Sequence, residues 1–137
     1  MTFPIVTAAT AGLLILLQIL LAITVSMSRG DTGIGDGGKE DLNRAVRRHG
    51  NLAENSGIFI AGFMLLELSN RAPALLFWLC LAFLIVRLVH VFGLSMTNTM
   101  NPFRMVGGLG TYVVGLILGC TLLWFSLPML LGGHIGS

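Results

Sequence analysis

Charge is what this chain lacks most: only 10% of its residues are Asp, Glu, Lys or Arg, where an average soluble domain carries about 25%. That shortage excludes a soluble globular domain. Cysteine is scarce as well. Cys80 and Cys120 each lie inside an apolar run, in no CxxC or metal-ligand spacing, so no metal site is expected and both read as small buried hydrophobes. The net charge of +2 comes without a basic patch interleaved with aromatics, which excludes nucleic acid as a partner. The first residues, Met1-Thr2-Phe3-Pro4, hold no basic n-region, and the apolar run behind them is too long for the core of a secretory signal. What is abundant is hydrophobicity: 55% of the 137 residues are apolar, and the mean hydropathy is +0.88. The fold class that follows is an all-α integral membrane protein, a single four-helix transmembrane domain over 1–137.

Four apolar runs are long enough to span, about 20 residues each being required. They predict helices over about 4–27, 41–68, 73–97 and 102–131. Between the first two lies a flexible, glycine-rich loop, 30–39. It contains a literal GxGxxG, Gly33 to Gly38, which is a decoy because a membrane helix and not a β-strand precedes it. Asp41 is the expected N-cap of the second helix. Arg29, Lys39, Arg44, Arg47 and Arg48 crowd the first loop and Arg104 lies near the third, whereas the second holds only Arg71. By the positive-inside rule, the first and third loops are expected in the cytoplasm and both termini on the other side.

The run from Ser56 to Leu68 is too short to cross a bilayer alone, so the second span must reach back to about Gly50. That draws Asn51, Glu54 and Asn55 into the membrane, with Arg47, Arg48 and His49 at its edge. Ionisable groups at such depth mark functional sites by default. Arg47, Asn51, Glu54 and Asn55 share one helical face. The third span adds Arg87 and His90. Counted from cytoplasmic ends near Arg44 and Thr97, Glu54 and Arg87 each lie ten residues in, so an ion pair between them is predicted, with Asn51 and His90 level with each other in the same way. With those two neutralised, Arg47, Arg48 and Arg104, with Arg29 as a further candidate, remain as positive charge suited to a small anionic ligand. A polar knot that merely locks the helices is the plainer alternative. Gln18, midway along the first span, reads as interhelical glue.

Small residues recur every four positions at Gly107, Thr111, Gly115 and Gly119, and again at Ala53, Gly57 and Ala61. Such stripes let helices approach closely, and four short spans enclose little volume, so a polar cavity between protomers is expected.

The segments Arg44-Ala-Val-Arg-Arg-His-Gly-Asn-Leu-Ala-Glu-Asn, Leu65-Leu-Glu-Leu, Arg87-Leu-Val-His-Val-Phe-Gly and Pro102-Phe-Arg-Met-Val-Gly resemble the MAPEG family, membrane-associated proteins in eicosanoid and glutathione metabolism. The likeness runs from about Gly35 to Tyr112 and is greatest to the family's bacterial branch, which implies a bacterial inner membrane. It further implies a homotrimer, with glutathione as co-substrate bound between protomers near the cytoplasmic face and a lipophilic small molecule arriving from the membrane lipid. Position by position, Arg47, Asn51 and Glu54 match glutathione-binding residues, Arg87 matches the arginine that pairs with that glutamate, and His49 and His90 match positions lining the site. Arg29, Arg48 and Asn55 are additional candidates.

The implied function is a membrane-bound glutathione transferase or peroxidase acting on lipophilic electrophiles. The chain departs from eukaryotic relatives in having Leu94 and Gly108 where they place tyrosines. Thiolate activation therefore falls to Arg104, whose plainer role would be an anchor at the membrane interface. A non-catalytic lipid-binding or partner-presenting protein on the same scaffold is the alternative.

Overall fold

A computed structural model describes residues 3–30, 40–97 and 101–132. It consists of four helices, α1 (Ile5–Arg29), α2 (Glu40–Ser69), α3 (Pro73–Ser95) and α4 (Pro102–Leu130). All four are long and apolar enough to cross a membrane. Most of the glycine-rich loop, with its GxGxxG, lies outside the described residues. Asp41 is not the N-cap of α2: that helix already begins at Glu40, and Asp41 sits in its first turn, where it and Glu40 accept from Arg44. Two acidic residues there complement the positive end of the helix dipole. α3 stops short of the expected Thr97, because Met96 turns extended and its N–H bonds back to the Gly93 carbonyl.

α2 and α3 form the middle of the bundle. α1 packs on both of them and so does α4, while α1 and α4 are not neighbours along their backbones. The shared core comprises Leu14 and Leu21 of α1, Leu52, Phe63 and Leu66 of α2, Leu76, Leu79 and Phe83 of α3, and Val114 and Leu118 of α4. Phe59 and Phe83 stack with centroids 4.2 Å apart, and Phe63 meets both rings at an angle. Aromatic pairs at that separation add to what burial alone contributes. Large apolar side chains such as Leu16, Ile19, Leu116 and Trp124 face outward, as a surface solvated by lipid or by other chains allows.

α3 and α4 meet at backbone distance. A Cβ at Gly93 would stand 2.4 Å from the Arg104 nitrogen, and one at Gly107 would stand 2.5 Å from the His90 Cβ. Asn101 ties the start of α4 to the end of α3: its buried side chain accepts from the Arg104 N–H at 2.9 Å and donates to the Gly93 carbonyl at 2.8 Å. Of the expected small-residue stripes, Gly107 and Thr111 are buried and Gly115 faces Phe59, but Gly57 and Gly119 meet nothing within 4 Å. Among the described residues, therefore, the α4 stripe is used as far as Gly115.

α1 is fastened from a distance. The Glu67 carboxylate, near the far end of α2, accepts from the Val6 N–H at 2.9 Å and the Thr7 N–H at 2.8 Å. Those first-turn amides have no partner within their own helix, and an anion suits a helix N-terminus. Glu67→Gln keeps the shape but leaves one carbonyl oxygen where two carboxylate oxygens served. It is expected to destabilise the protein by about 1–2 kcal/mol, read as a lower thermal midpoint in detergent. An unchanged midpoint would mean that the clasp contributes nothing.

Candidate functional site

The polar residues of α2 converge with α3 and α4 toward the Glu40 end of the bundle. Arg87 is the anchor, 1% exposed, and its guanidinium fork reaches two helices. Nη1 donates to Thr111 Oγ1 at 3.1 Å, and Nη2 donates to the Asn51 backbone oxygen at 3.1 Å and to the Asn51 Oδ1. Thr111 gives its own hydroxyl proton to the Gly107 carbonyl at 2.8 Å, which leaves its lone pairs for the arginine. Because Arg87 can only donate, the amide oxygen of Asn51 is committed to it. The Asn51 NH2 remains for a ligand.

Beside this strut lies an open cleft of about 940 Å³. α2 lines it with Arg47, Gly50, Asn51 and Glu54, α3 with His90 and Leu94, and α4 with Arg104, Gly108 and Tyr112. Two guanidinium-bearing residues, Arg47 and Arg104, share that lining with one carboxylate, Glu54. Leu94, Met105 and Leu109 supply an apolar share of the wall. The volume is that of an ordinary small-molecule site, for which about 300–1,000 Å³ is usual. Arg47 is steadied through Nε, which donates to Asn43 Oδ1 at 3.1 Å. Arg104 is steadied through its backbone, the N–H on Asn101 and the oxygen against His90 Nδ1 at 3.1 Å.

The structure thus brings Arg47, Asn51, Glu54, His90 and Arg104 to one cleft, with Arg87 buried behind it. It corrects the expected pairing. No carboxylate among the described residues lies within ion-pair distance of Arg87, and Glu54 is exposed on the cleft wall. Counting depth from the helix ends assumed that α2 and α3 finish level. They do not: Asn51, one turn nearer the Glu40 end than Glu54, stands beside Arg87. His90 correspondingly turns to α4 rather than to Asn51.

Four candidates fall outside the cleft lining. His49 contributes its backbone oxygen to Gln18 Nε2 at 3.2 Å, which makes Gln18 the α1–α2 glue that was expected. Arg48 donates to Ser95 Oγ at 3.0 Å. Asn55 donates to the Asn51 carbonyl at 3.0 Å, within its own helix. Arg29 ends α1, which contributes nothing to the lining. Two useful residues were missed. Tyr112 joins the cleft because Arg104, Gly108 and Tyr112 recur every four residues on one face of α4, a spacing visible in the sequence. Thr111, taken only as a member of the small-residue stripe, is an acceptor for Arg87.

The sequence matches the MAPEG family model over residues 7–124, which reaches from within α1 to within α4 and covers the whole cleft. The chain belongs to the MAPEG family. No curated protein and no solved structure matches it. In this MAPEG chain, the matched region includes every residue that lines the cleft.

Proposed function

We propose that this MAPEG protein is a glutathione transferase that joins the glutathione sulfur to lipophilic electrophiles. The observation that supports this most is the composition of the cleft: Arg47, Arg104, Glu54 and the Asn51 amide in one cavity of about 940 Å³. Glutathione carries two carboxylates, one ammonium and a thiol. Arg47 and the Asn51 NH2 are suited to a carboxylate, and Glu54, exposed and with no cation on it among the described residues, is suited to the ammonium. Arg104 supplies positive charge beside the sulfur, which favours thiolate over thiol. The apolar wall of Leu94, Met105 and Leu109 is where a lipophile would meet it, and holding the two together supplies much of the rate. The open side of the cleft and the outward apolar faces of α1 and α4 suit closure by a second copy, in a homotrimer. The Glu40 end of α2, rich in arginine, fits a cytoplasmic orientation.

The test is calorimetric titration of glutathione into purified protein, alongside turnover with chlorodinitrobenzene. Arg47→Ala and Asn51→Ala are each expected to weaken binding about tenfold or more, which is about 1.4 kcal/mol or more. Arg48→Ala, whose guanidinium faces Ser95, is expected to change affinity little. A wild-type protein that neither binds glutathione nor turns over the electrophile would refute the proposal.

A further inference from the structure

Arginine side chains stabilise a thiolate but cannot accept its proton, since a guanidinium is a donor only. Within the cleft a base must be found elsewhere. His90 Nδ1 lies 3.1 Å from the Arg104 backbone oxygen. A carbonyl oxygen only accepts, so Nδ1 carries the proton, and in the neutral ring Nε2 is left as a bare lone pair. That nitrogen makes no hydrogen bond among the described residues, and it is not sealed off as Arg87 Nε is. His90 lines the cleft.

The two glycines of α4 shape the room around the ring. Gly107 admits the His90 backbone, and Gly108 leaves the ring edge open: even a lone Cβ there would stand 3.6 Å from Cε1, the carbon next to Nε2. The charged and titratable groups that face the same space are Arg47 and Glu54 from α2, Arg87 from α3 itself, and Arg104 and Tyr112 from α4; α1 brings none to the lining.

We propose that His90 Nε2 is the base that receives the thiol proton of glutathione in this cleft, while Arg104 faces the sulfur. This rests on the reading of the cleft as a glutathione site. The S–H bond breaks, its electron pair stays on sulfur and the proton passes to Nε2, giving a thiolate beside an imidazolium. With chlorodinitrobenzene the sulfur pair forms the new S–C bond, chloride leaves with its own bonding pair, and the imidazolium releases its proton to water. The Nδ1–H bond to Arg104 couples the base to the residue that holds the charge, so both are set by the same α3–α4 contact.

The experiment uses His90→Asn, whose amide NH2 occupies the place of Nδ1–H and keeps the bond to the Arg104 carbonyl; His90→Gln replaces it if the first does not purify folded. Glutathione is titrated into wild type and variant by calorimetry, and the ultraviolet absorbance of the bound thiolate is followed against pH. The variant is expected to hold glutathione within about threefold of wild type, to lose the thiolate signal at neutral pH, and to lose about a hundredfold in kcat/KM, recovered as alkaline pH ionises the thiol unaided. The same thiolate titration in variant and wild type overturns the base assignment alone. Loss of affinity together with the signal makes His90 a binding residue and also overturns it. Absence of glutathione binding to the wild-type protein overturns the site reading and this inference with it, and calorimetry shows that before any absorbance is recorded.

Discussion

Arg87→Ala is expected to destabilise the protein by about 3–5 kcal/mol, which in detergent should abolish most of the folded population. From its position on α3 the guanidinium holds α2, through both oxygens of Asn51, and α4, through Thr111. Alanine leaves a void where the largest fully buried side chain stood, and it strips Asn51 Oδ1 and Thr111 Oγ1 of their donor. Arg87→Met fills the space but not the hydrogen bonds and is expected to lie between. Glu54→Gln is the control. Since Glu54 sits on the cleft wall away from Arg87, it should melt as the wild type does while binding glutathione less well. Thermal melts of the three variants decide the matter: a wild-type midpoint for Arg87→Ala, or a large drop for Glu54→Gln, would restore the ion pair that the structure replaces.

Gly107→Ala is the second change with a large expected effect, about 3 kcal/mol or more. Its Cβ would lie 2.5 Å from the His90 Cβ and 2.6 Å from both the His90 Cα and nitrogen. Backbone cannot rotate aside as a side-chain tip can, so α4 must move away from α3. That movement would also separate His90 Nδ1 from the Arg104 carbonyl and shift Thr111, four residues along, from Arg87. Stability and glutathione affinity should therefore fall together. Gly119→Ala provides the comparison, because its Cβ meets nothing within 4 Å; it should be neutral or gain up to about 1 kcal/mol from helix propensity. Equal melts for the two variants would show that the α3–α4 contact is looser than the structure has it.

The architecture was largely legible because a bilayer imposes a length and a polarity that leave few alternatives: four apolar runs, with Ser69 to Pro73 too polar to sit inside, fix the spans to within a few residues. The gathering of Arg47, Asn51 and Glu54 was legible for a similar reason, since spacings of three and four put them on one face. What could not be read was the axial offset between α2 and α3. Periodicity fixes which way a side chain points but says nothing of how far one helix slides past another, and a displacement of one turn exchanges Glu54 for Asn51 as the partner of Arg87. The role of Glu67 was hidden for a different reason. Its acceptors serve amides 60 and 61 residues away in sequence, and no local pattern announces such a cap. His49 looked like a site residue by position, yet only its backbone oxygen is used, by Gln18.

α2 has 30 residues, so by its rise it is about 45 Å long, whereas the hydrocarbon layer is about 30 Å thick. With Ser69 at one surface, several turns at the Glu40 end must emerge from the other, and the cleft straddles that phase boundary. Under the proposed function, a peptide thiol dissolved in water and an oil-soluble acceptor would meet there without either leaving its own solvent. For the acceptor, the quantity that governs occupancy is then its mole fraction among the lipids, so diluting the protein with extra bilayer at constant total acceptor would slow turnover even though nothing in the aqueous phase had changed.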